Sequence, residues 1–308
     1  MLLKLFKSNK ALVLSILPLL GFPLIFPAFS LENNSVFPSA LIQLVSLLLI
    51  LVTAFILNKS VNKSELFNRP LFLTALCYVL LACAISSLSS LNVLVISNLF
   101  LTLSIGKLFK IKRQVSCKGL VFDSSCLILL SGLFYPPYFL FILLPWFSLS
   151  IIKTFNFKEW AMPLIALFVF CLYLYIFSCI FSSFEVASIY SVLLFNVEEI
   201  TFNYFFIFYF CLITLSLILA LFVLAKLNTS ATNRFKKLSL VIVITLLLSA
   251  IISIFNFYFG QYLLGVFALA LPVSILLPFL LIHSIKQSLI EISLSLSYLL
   301  LLLAVFSN

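Results

Sequence analysis

The residues best suited to chemistry in this chain are isolated carboxylates set among long apolar runs. Asp123 is the only aspartate, and it lies about one turn into an apolar segment. A carboxylate within a membrane span is a functional candidate, because burying its charge in hydrocarbon is costly. In the alternative interpretation, Asp123 complements the dipole of a helix start, with Lys118 nearby. The sequence favours this structural role and keeps Asp123 as a weak catalytic candidate.

Glu32 is the second catalytic candidate, in a connection that follows the first apolar segment. A loop carboxylate there is suited to act as the base or metal ligand of a glycosyltransferase that uses lipid-linked sugars. A solvated loop residue is the simpler interpretation. His283 is the only histidine, and the seven cysteines form no C-x-x-C pair. We therefore predict no metal site and no cofactor.

The densest positive charge is a basic cluster between two apolar segments. Its members are Lys107, Lys110, Lys112, Arg113 and Lys118. Anionic lipid at the cytoplasmic face attracts such a cluster by about 1 kcal/mol per cation near the surface. A phosphate-bearing substrate is the alternative, but the cluster has no glycine-rich phosphate loop and no G-K-[ST] motif. We predict an orientation signal in contact with anionic lipid.

The amino-acid composition indicates that these residues are carried by membrane-spanning helices and their connections. The chain is 65% hydrophobic and 8% charged, against about a quarter charged in ordinary globular domains. Lipid is the solvent that accepts so apolar a chain, and helices are its ordinary spanning element. The net charge of +10 is dispersed between apolar runs, which is typical of orientation signals and unlike a nucleic-acid-binding face. We predict an all-α polytopic bundle, with residues 1–308 forming a single transmembrane domain and no soluble domain.

Eleven apolar segments are candidates for crossing the membrane, most with the roughly 20 residues that a helix needs. They are 11–29, 38–57, 71–88, 91–109, 120–135, 137–152, 160–181, 204–225, 238–258, 263–282 and 289–306. The two short ones between 120 and 152 are joined at Tyr135-Pro136-Pro137, where proline forces a break. They either cross twice or form a re-entrant hairpin, which would reduce the count to nine. Two crossings are favoured, because an exposed tip would leave backbone groups unpaired.

The charges assign a side to each connection. With a cytoplasmic N-terminus and eleven crossings, all 18 lysines and arginines fall on the inside and the C-terminus falls outside. The outer connections hold Glu32, Glu185, Glu198 and Glu199 and no cation. Residues 182–203, the longest outer connection, have the spacing of an amphipathic surface helix. An outer face without cations is poorly equipped to hold the phosphate of a lipid-linked substrate.

Two further local patterns predict structural roles. Lys158-Glu159-Trp160 is typical of an interfacial anchor, with the tryptophan at headgroup depth and the charged side chains in water. Asn98 lies near the middle of the fourth segment. An amide at that depth is expected to hydrogen-bond to a neighbouring helix.

Several central motifs resemble a polytopic inner-membrane family of Bacteroidota that has no assigned activity. The motifs are Phe122-Asp123, Gly132-Leu133-Phe134-Tyr135-Pro136 and Phe155-Asn156-Phe157-Lys158-Glu159-Trp160, and the best match covers about residues 57–165. Lys158 and Ala166 stand where related sequences often have arginine and glycine, and both departures preserve charge or small size. The resemblance implies a multi-pass protein of a bacterial cytoplasmic membrane and implies no reaction.

Three functions remain open. The absence of a nucleophile, base and orienting residue around the single histidine favours a non-catalytic membrane subunit or scaffold. A transporter or lipid flippase is the first alternative, supported by the proline-broken first segment and by Asp123. A glycosyltransferase-like enzyme acting on a lipid-linked substrate is the second. The expected partners are the bilayer, anionic lipid at the cytoplasmic face and a membrane-protein partner, with no nucleic acid.

Overall fold

The computed structural model describes most of the chain between residues 36 and 283. The described residues are 17, 18, 20, 21, 23, 36–67, 71–86, 92–113, 115–180, 204–258, 262–283, 295, 298 and 299. Within them the chain is helical and has no strand, which confirms the all-α class. Glu32, Glu185, Glu198, Glu199 and the predicted surface helix at 182–203 lie outside the described residues.

The helices coincide with the second to tenth predicted segments. In chain order they are α1 Val36–Lys63, α2 Leu73–Ser86, α3 Asn92–Leu108, α4 Lys118–Phe134, a 3-10 helix Pro136–Ile142, α5 Leu143–Ile152, α6 Phe157–Trp160, α7 Met162–Ile180, α8 Tyr204–Ser230, α9 Asn233–Tyr258 and α10 Tyr262–His283. Among the described residues, five helical stretches are long and apolar enough to cross a membrane, namely Gln43–Lys63, Phe157–Ile180, Cys211–Ser230, Asn233–Tyr258 and Leu264–His283. The fold is therefore that of a helical membrane bundle.

The burial of the helices distinguishes the centre of the bundle from its periphery. α10 is mostly buried, whereas α7 and α8 are mostly exposed. The exposed side chains of these outer helices are large and apolar, such as Tyr173, Tyr175 and Phe222. Hydrocarbon solvates such side chains as well as a protein core does, so a membrane helix need not turn its apolar faces inward.

α3 and α4 form an antiparallel pair whose register is set by serine hydroxyls. Ser104 Oγ donates to the Ser124 carbonyl at 3.0 Å, and Ser97 Oγ donates to the Ser131 carbonyl at 2.8 Å. This register places Tyr135, the last residue before the proline break, level with the first turn of α3. With 17 residues, α3 is about 25 Å long. The break therefore lies at the far end of α3 and not halfway along it.

The chain after the break packs back into the bundle interior. Pro136 and Pro137 lack an N–H, and the chain continues as the 3-10 helix before α5 begins. Tyr138 is fully buried there, and its hydroxyl donates to Asn98 Oδ1 at 2.8 Å. The prediction that Asn98 bonds to a neighbouring element is confirmed. Tyr135 and Tyr138 at the tip of the pair are buried, so this part of the chain packs against protein.

Close helix crossings use glycine opposite serine. A Cβ placed at Gly265 in α10 would lie 2.9 Å from the backbone oxygen of Ser253 in α9. A Cβ at Gly106 in α3 would lie 2.6 Å from Ser60 Oγ in α1. The sequence has no G-x-x-x-G motif, the usual signal for such close crossings. Single glycines serve as well, because each meets a small residue on the other helix.

We expect Gly265→Ala to lower the thermal stability of the purified chain. The added methyl group meets a backbone oxygen, which cannot rotate away, and such overpacking costs about 1–3 kcal/mol. The midpoint of heat-induced aggregation in mild detergent measures the effect. Gly119→Ala is the matched control, because nothing lies within 4 Å of the added atom. Equal midpoints for the two variants would contradict the close α9–α10 crossing.

Candidate functional site

The helix ends that carry lysine and arginine lie together at one end of the bundle. Arg234 Nη1 lies 3.1 Å from Glu65 Oε2, and Lys237 Nζ donates to the Ile152 carbonyl at 2.8 Å. These contacts join the connections after α1, after α5 and before α9. We call this region the basic end. The described cations lie within about one turn of the ends of α1, α3 and α8 or of the starts of α4, α6 and α9, or in the connections that join these helices. They are Lys59, Lys63, Lys107, Lys110, Lys112, Arg113, Lys118, Lys153, Lys158, Lys226, Arg234, Lys236 and Lys237.

Asp123, the first catalytic candidate, forms an ion pair with a lysine of the preceding helix. Lys107 Nζ lies 2.8 Å from Asp123 Oδ2, and the two side chains are 36% and 48% exposed. The antiparallel register of α3 and α4 brings the last turn of one beside the first turns of the other. The cation beside Asp123 is therefore Lys107 and not Lys118. A pair this accessible contributes about 0–1 kcal/mol.

Glu159 is buried, with only 2% of its surface exposed. Its carboxylate oxygens lie 2.8 and 2.9 Å from Lys153 Nζ, and the Cys117 backbone N–H donates to Oε1 at 3.1 Å. Lys153 Nζ also donates to the Val115 carbonyl at 2.6 Å. We call Cys117, Lys153 and Glu159 the clasp. It joins the start of α4 to the end of α5 and to α6.

The expectation that the Glu159 charge stays in water is therefore wrong. α6 is a single turn that begins at Asn156, whose side chain accepts from the Lys158 backbone N–H at 3.3 Å. This turn directs Lys158 outward, where it is exposed, and Glu159 inward toward Lys153. Trp160 is half-buried, and its carbonyl accepts from Trp146 Nε1 at 3.0 Å. The role of these residues as an interfacial anchor stays a prediction.

The clasp has the chemistry of a structural link. Burial lowers the pKa of the Lys153 ammonium, but its hydrogen bonds with Glu159 outweigh burial, and the pKa is raised above its ordinary value. The stabilisation from the charged lysine is thus present at neutral pH and is lost only as the pH rises past this pKa. Burial raises the pKa of the Cys117 thiol, which keeps it protonated and a poor nucleophile.

A cavity of about 520 Å³ opens at the basic end beside the clasp. Among the described residues its lining holds five cations and one amide, and no carboxylate. The cations are Lys112, Arg113, Arg234, Lys236 and Lys237, and Ile111, Ile152, Asn233 and Leu238 complete the lining. We call it the basic cavity. Its walls come from the α3–α4 connection and from the first turns of α9, which are distant in sequence.

The start of α9 positions three of the five cations. Only Ala231 and Thr232 separate α8 from α9, whereas the apolar segments predict a connection from 226 to 237. Thr232 caps the start of the helix, since its hydroxyl accepts from the Phe235 backbone N–H at 3.4 Å. Lysine and arginine are good helix formers. The helix therefore continues through the charged residues and fixes their backbone.

Of the five residues in the predicted basic cluster, two line the basic cavity. Lys112 and Arg113 line the basic cavity, whereas Lys107 pairs with Asp123. Lys110 and Lys118 are exposed and do not line the cavity. The contribution of the α9 cations was missed. Their charge was visible in the sequence, but their place opposite Lys112 depends on tertiary packing.

A second cavity, of about 580 Å³, lies next to the same turn of α9. It is largely apolar and aromatic. The ring centroid of Phe279 lies 4.8 Å from that of Phe67 and 5.9 Å from that of Phe235. Glu65, the partner of Arg234, lines this aromatic cavity, and Arg234 lines the basic one. One ion pair thus connects the linings of an apolar and a cationic cavity.

These features define a helical membrane protein with a cationic end, and the comparisons add no family to that class. No family model matches the chain, and no curated protein or solved structure has significant similarity to it. The resemblance to a Bacteroidota inner-membrane family stays a prediction.

We expect Glu159→Gln to destabilise the purified chain strongly. It leaves the half-buried Lys153 ammonium without its counter-charge. Removing one partner of a fully buried pair costs about 3–5 kcal/mol, which is the upper bound for this substitution. Thermal unfolding in mild detergent measures the loss. Asp123→Asn breaks the exposed pair with Lys107 and is the matched control, with an expected change below about 1 kcal/mol. Equal effects of the two variants would contradict the clasp.

Proposed function

We propose that this chain is a non-catalytic, multi-pass subunit or scaffold of a bacterial cytoplasmic membrane, with its basic end at the cytoplasmic face. The observation that carries the proposal is the use of the described carboxylates. Glu65, Asp123 and Glu159 each pair with a cation, namely Arg234, Lys107 and Lys153. A carboxylate that forms an ion pair with a lysine or arginine is poorly placed to act as a general base or to couple transport to the movement of an ion.

Sidedness is the second part of the proposal. The basic end gathers the described cations, and lysine and arginine accumulate on the cytoplasmic side of bacterial membrane proteins. The α4–α5 pair extends as far as α3, which favours two crossings for this pair and eleven in all. The resemblance to a Bacteroidota family supports a bacterial inner membrane. Anionic lipid is then the first partner that the basic end meets.

A lipid flippase or transporter is the second candidate function. The observation in its favour is the aromatic cavity beside the basic one, because an apolar and a cationic compartment together suit a charged lipid. A glycosyltransferase-like enzyme has less support. Its catalytic candidate Glu32 lies outside the described residues, and Asp123 is paired with Lys107.

Complementation of a deletion strain tests the non-catalytic role. We expect Asp123→Ala and Glu32→Ala each to restore the phenotype as well as the unaltered gene does, because neither carboxylate performs chemistry. Lys107→Ala is the control for Asp123→Ala, since it breaks the same ion pair and keeps the carboxylate. Failure of Asp123→Ala together with success of Lys107→Ala would assign chemistry to the carboxylate and contradict a scaffold.

Cysteine labelling in intact cells tests the sidedness. In a background with the seven native cysteines replaced, we expect Lys110→Cys to react with a membrane-impermeant maleimide only after permeabilisation. Lys110 is exposed at the basic end, so a lack of reaction would not come from burial. Glu198→Cys, in a predicted outer connection, is expected to react in intact cells. Reaction of Lys110→Cys before permeabilisation would reverse the proposed orientation.

A further inference from the structure

We infer that the basic cavity is a binding site for a phosphate group, carried by an anionic phospholipid or by a soluble phosphate compound. The proposed function enters only in deciding which leaflet would supply the lipid. The site itself follows from the charges, donors and walls of the cavity. Three cations of α9 lie close to Lys112 and Arg113 in this cavity. A signal for membrane orientation needs all of these cations on one side of the membrane but does not need them close together.

The cavity concentrates positive charge that the described carboxylates neutralise only in part. Among the described residues, no carboxylate lies within ion-pair distance of Lys112, Arg113 or Lys236. Like charges gathered around one cavity repel each other, and a bound anion would relieve that repulsion. The other two cations are held in place by single contacts, Arg234 with Glu65 and Lys237 with the Ile152 carbonyl.

These two contacts leave donors for a ligand. A guanidinium carries five N–H donors and an ammonium three. Arg234 reaches Glu65 through Nη1, and Lys237 reaches Ile152 through one hydrogen bond. Lys112, Arg113 and Arg234 are exposed, whereas Lys236 and Lys237 are half-buried, so the positions of these two lysines are restricted before a ligand arrives. Arginine forms paired hydrogen bonds with phosphate oxygens, and lysine acts as a point charge beside them.

The start of α9 adds the partial positive charge of a helix. α9 has 26 residues, and Asn233 at its first position belongs to the cavity lining. The first-turn N–H groups of a long helix favour a nearby anion. The lining also contains Ile111, Ile152 and Leu238. A volume of about 520 Å³ admits a headgroup larger than a phosphate ion, within the usual range of ligand sites.

Native mass spectrometry of the full chain in mild detergent tests the lipid source. The probes are phosphatidylglycerol and, with the same acyl chains, zwitterionic phosphatidylcholine. The cavity variant combines Lys112→Gln, Arg113→Gln and Lys236→Gln. The matched control combines Lys110→Gln, Lys118→Gln and Lys158→Gln, which removes the same charge from exposed positions outside the cavity lining. We expect the cavity variant to raise the phosphatidylglycerol dissociation constant at least about tenfold and the control to leave it within about twofold.

Calorimetric titration with pyrophosphate tests the soluble source on the same proteins. Binding that the cavity variant abolishes and the control variant retains would support the phosphate site with a soluble ligand. Equal weakening by both variants would overturn the inference in favour of general surface charge. The inference would also be overturned if the unaltered chain did not prefer phosphatidylglycerol over phosphatidylcholine and did not bind pyrophosphate.

Two precautions keep the outcomes distinct. If the triple cavity variant does not purify as a monodisperse protein, Lys236→Gln replaces it, with Lys110→Gln as its control. The binding measurements are made in detergent and do not depend on membrane orientation or on complementation. A failed phosphate site therefore leaves the scaffold proposal standing, and a failed scaffold proposal leaves the phosphate site standing.

Discussion

The interior of this bundle is governed by the lack of hydrogen-bonding solvent in hydrocarbon. A polar side chain buried there needs a partner within the protein. Ser97 and Ser104 reach carbonyls of the next helix, and Asn98 receives the Tyr138 hydroxyl. Each of these bonds exists in only one helix register. A few polar atoms thus determine how otherwise uniform apolar helices are aligned, which apolar contacts alone would specify weakly.

The same constraint keeps charged residues out of the bundle interior, and the described ones lie at the basic end, where few acids meet many cations. The three described carboxylates each pair with one cation. One of these pairs is buried and two are exposed. The buried pair joins the connections around α4, α5 and α6, while the exposed pairs leave most of the cations accessible. The shortage of acids at this end leaves a net positive surface for the protein's surroundings to neutralise.

The sequence predicts the helices well and their tertiary relations poorly. Apolar length and the prolines at 136 and 137 place the segments, because these signals are local. The helix ends differ most at α1, α8 and α9, since apolar runs stop where charges begin while helices continue through lysine and arginine. Glu159 was expected in water because nothing near it in sequence shows that Cys117 packs against it. The basic cavity was missed for the same reason, as its two walls are far apart along the chain.

The clasp has a consequence for the order of assembly during synthesis. The ribosome makes Cys117 first, then Lys153 and finally Glu159. The loop that contains α4 and α5 therefore has no closed base until α6 has been made. Until then the Lys153 ammonium lacks its counter-ion and is best solvated at the membrane surface. The arrival of Glu159 permits that lysine to be buried and closes the hairpin, so the three-residue group couples the completion of one hairpin to the start of the next helix.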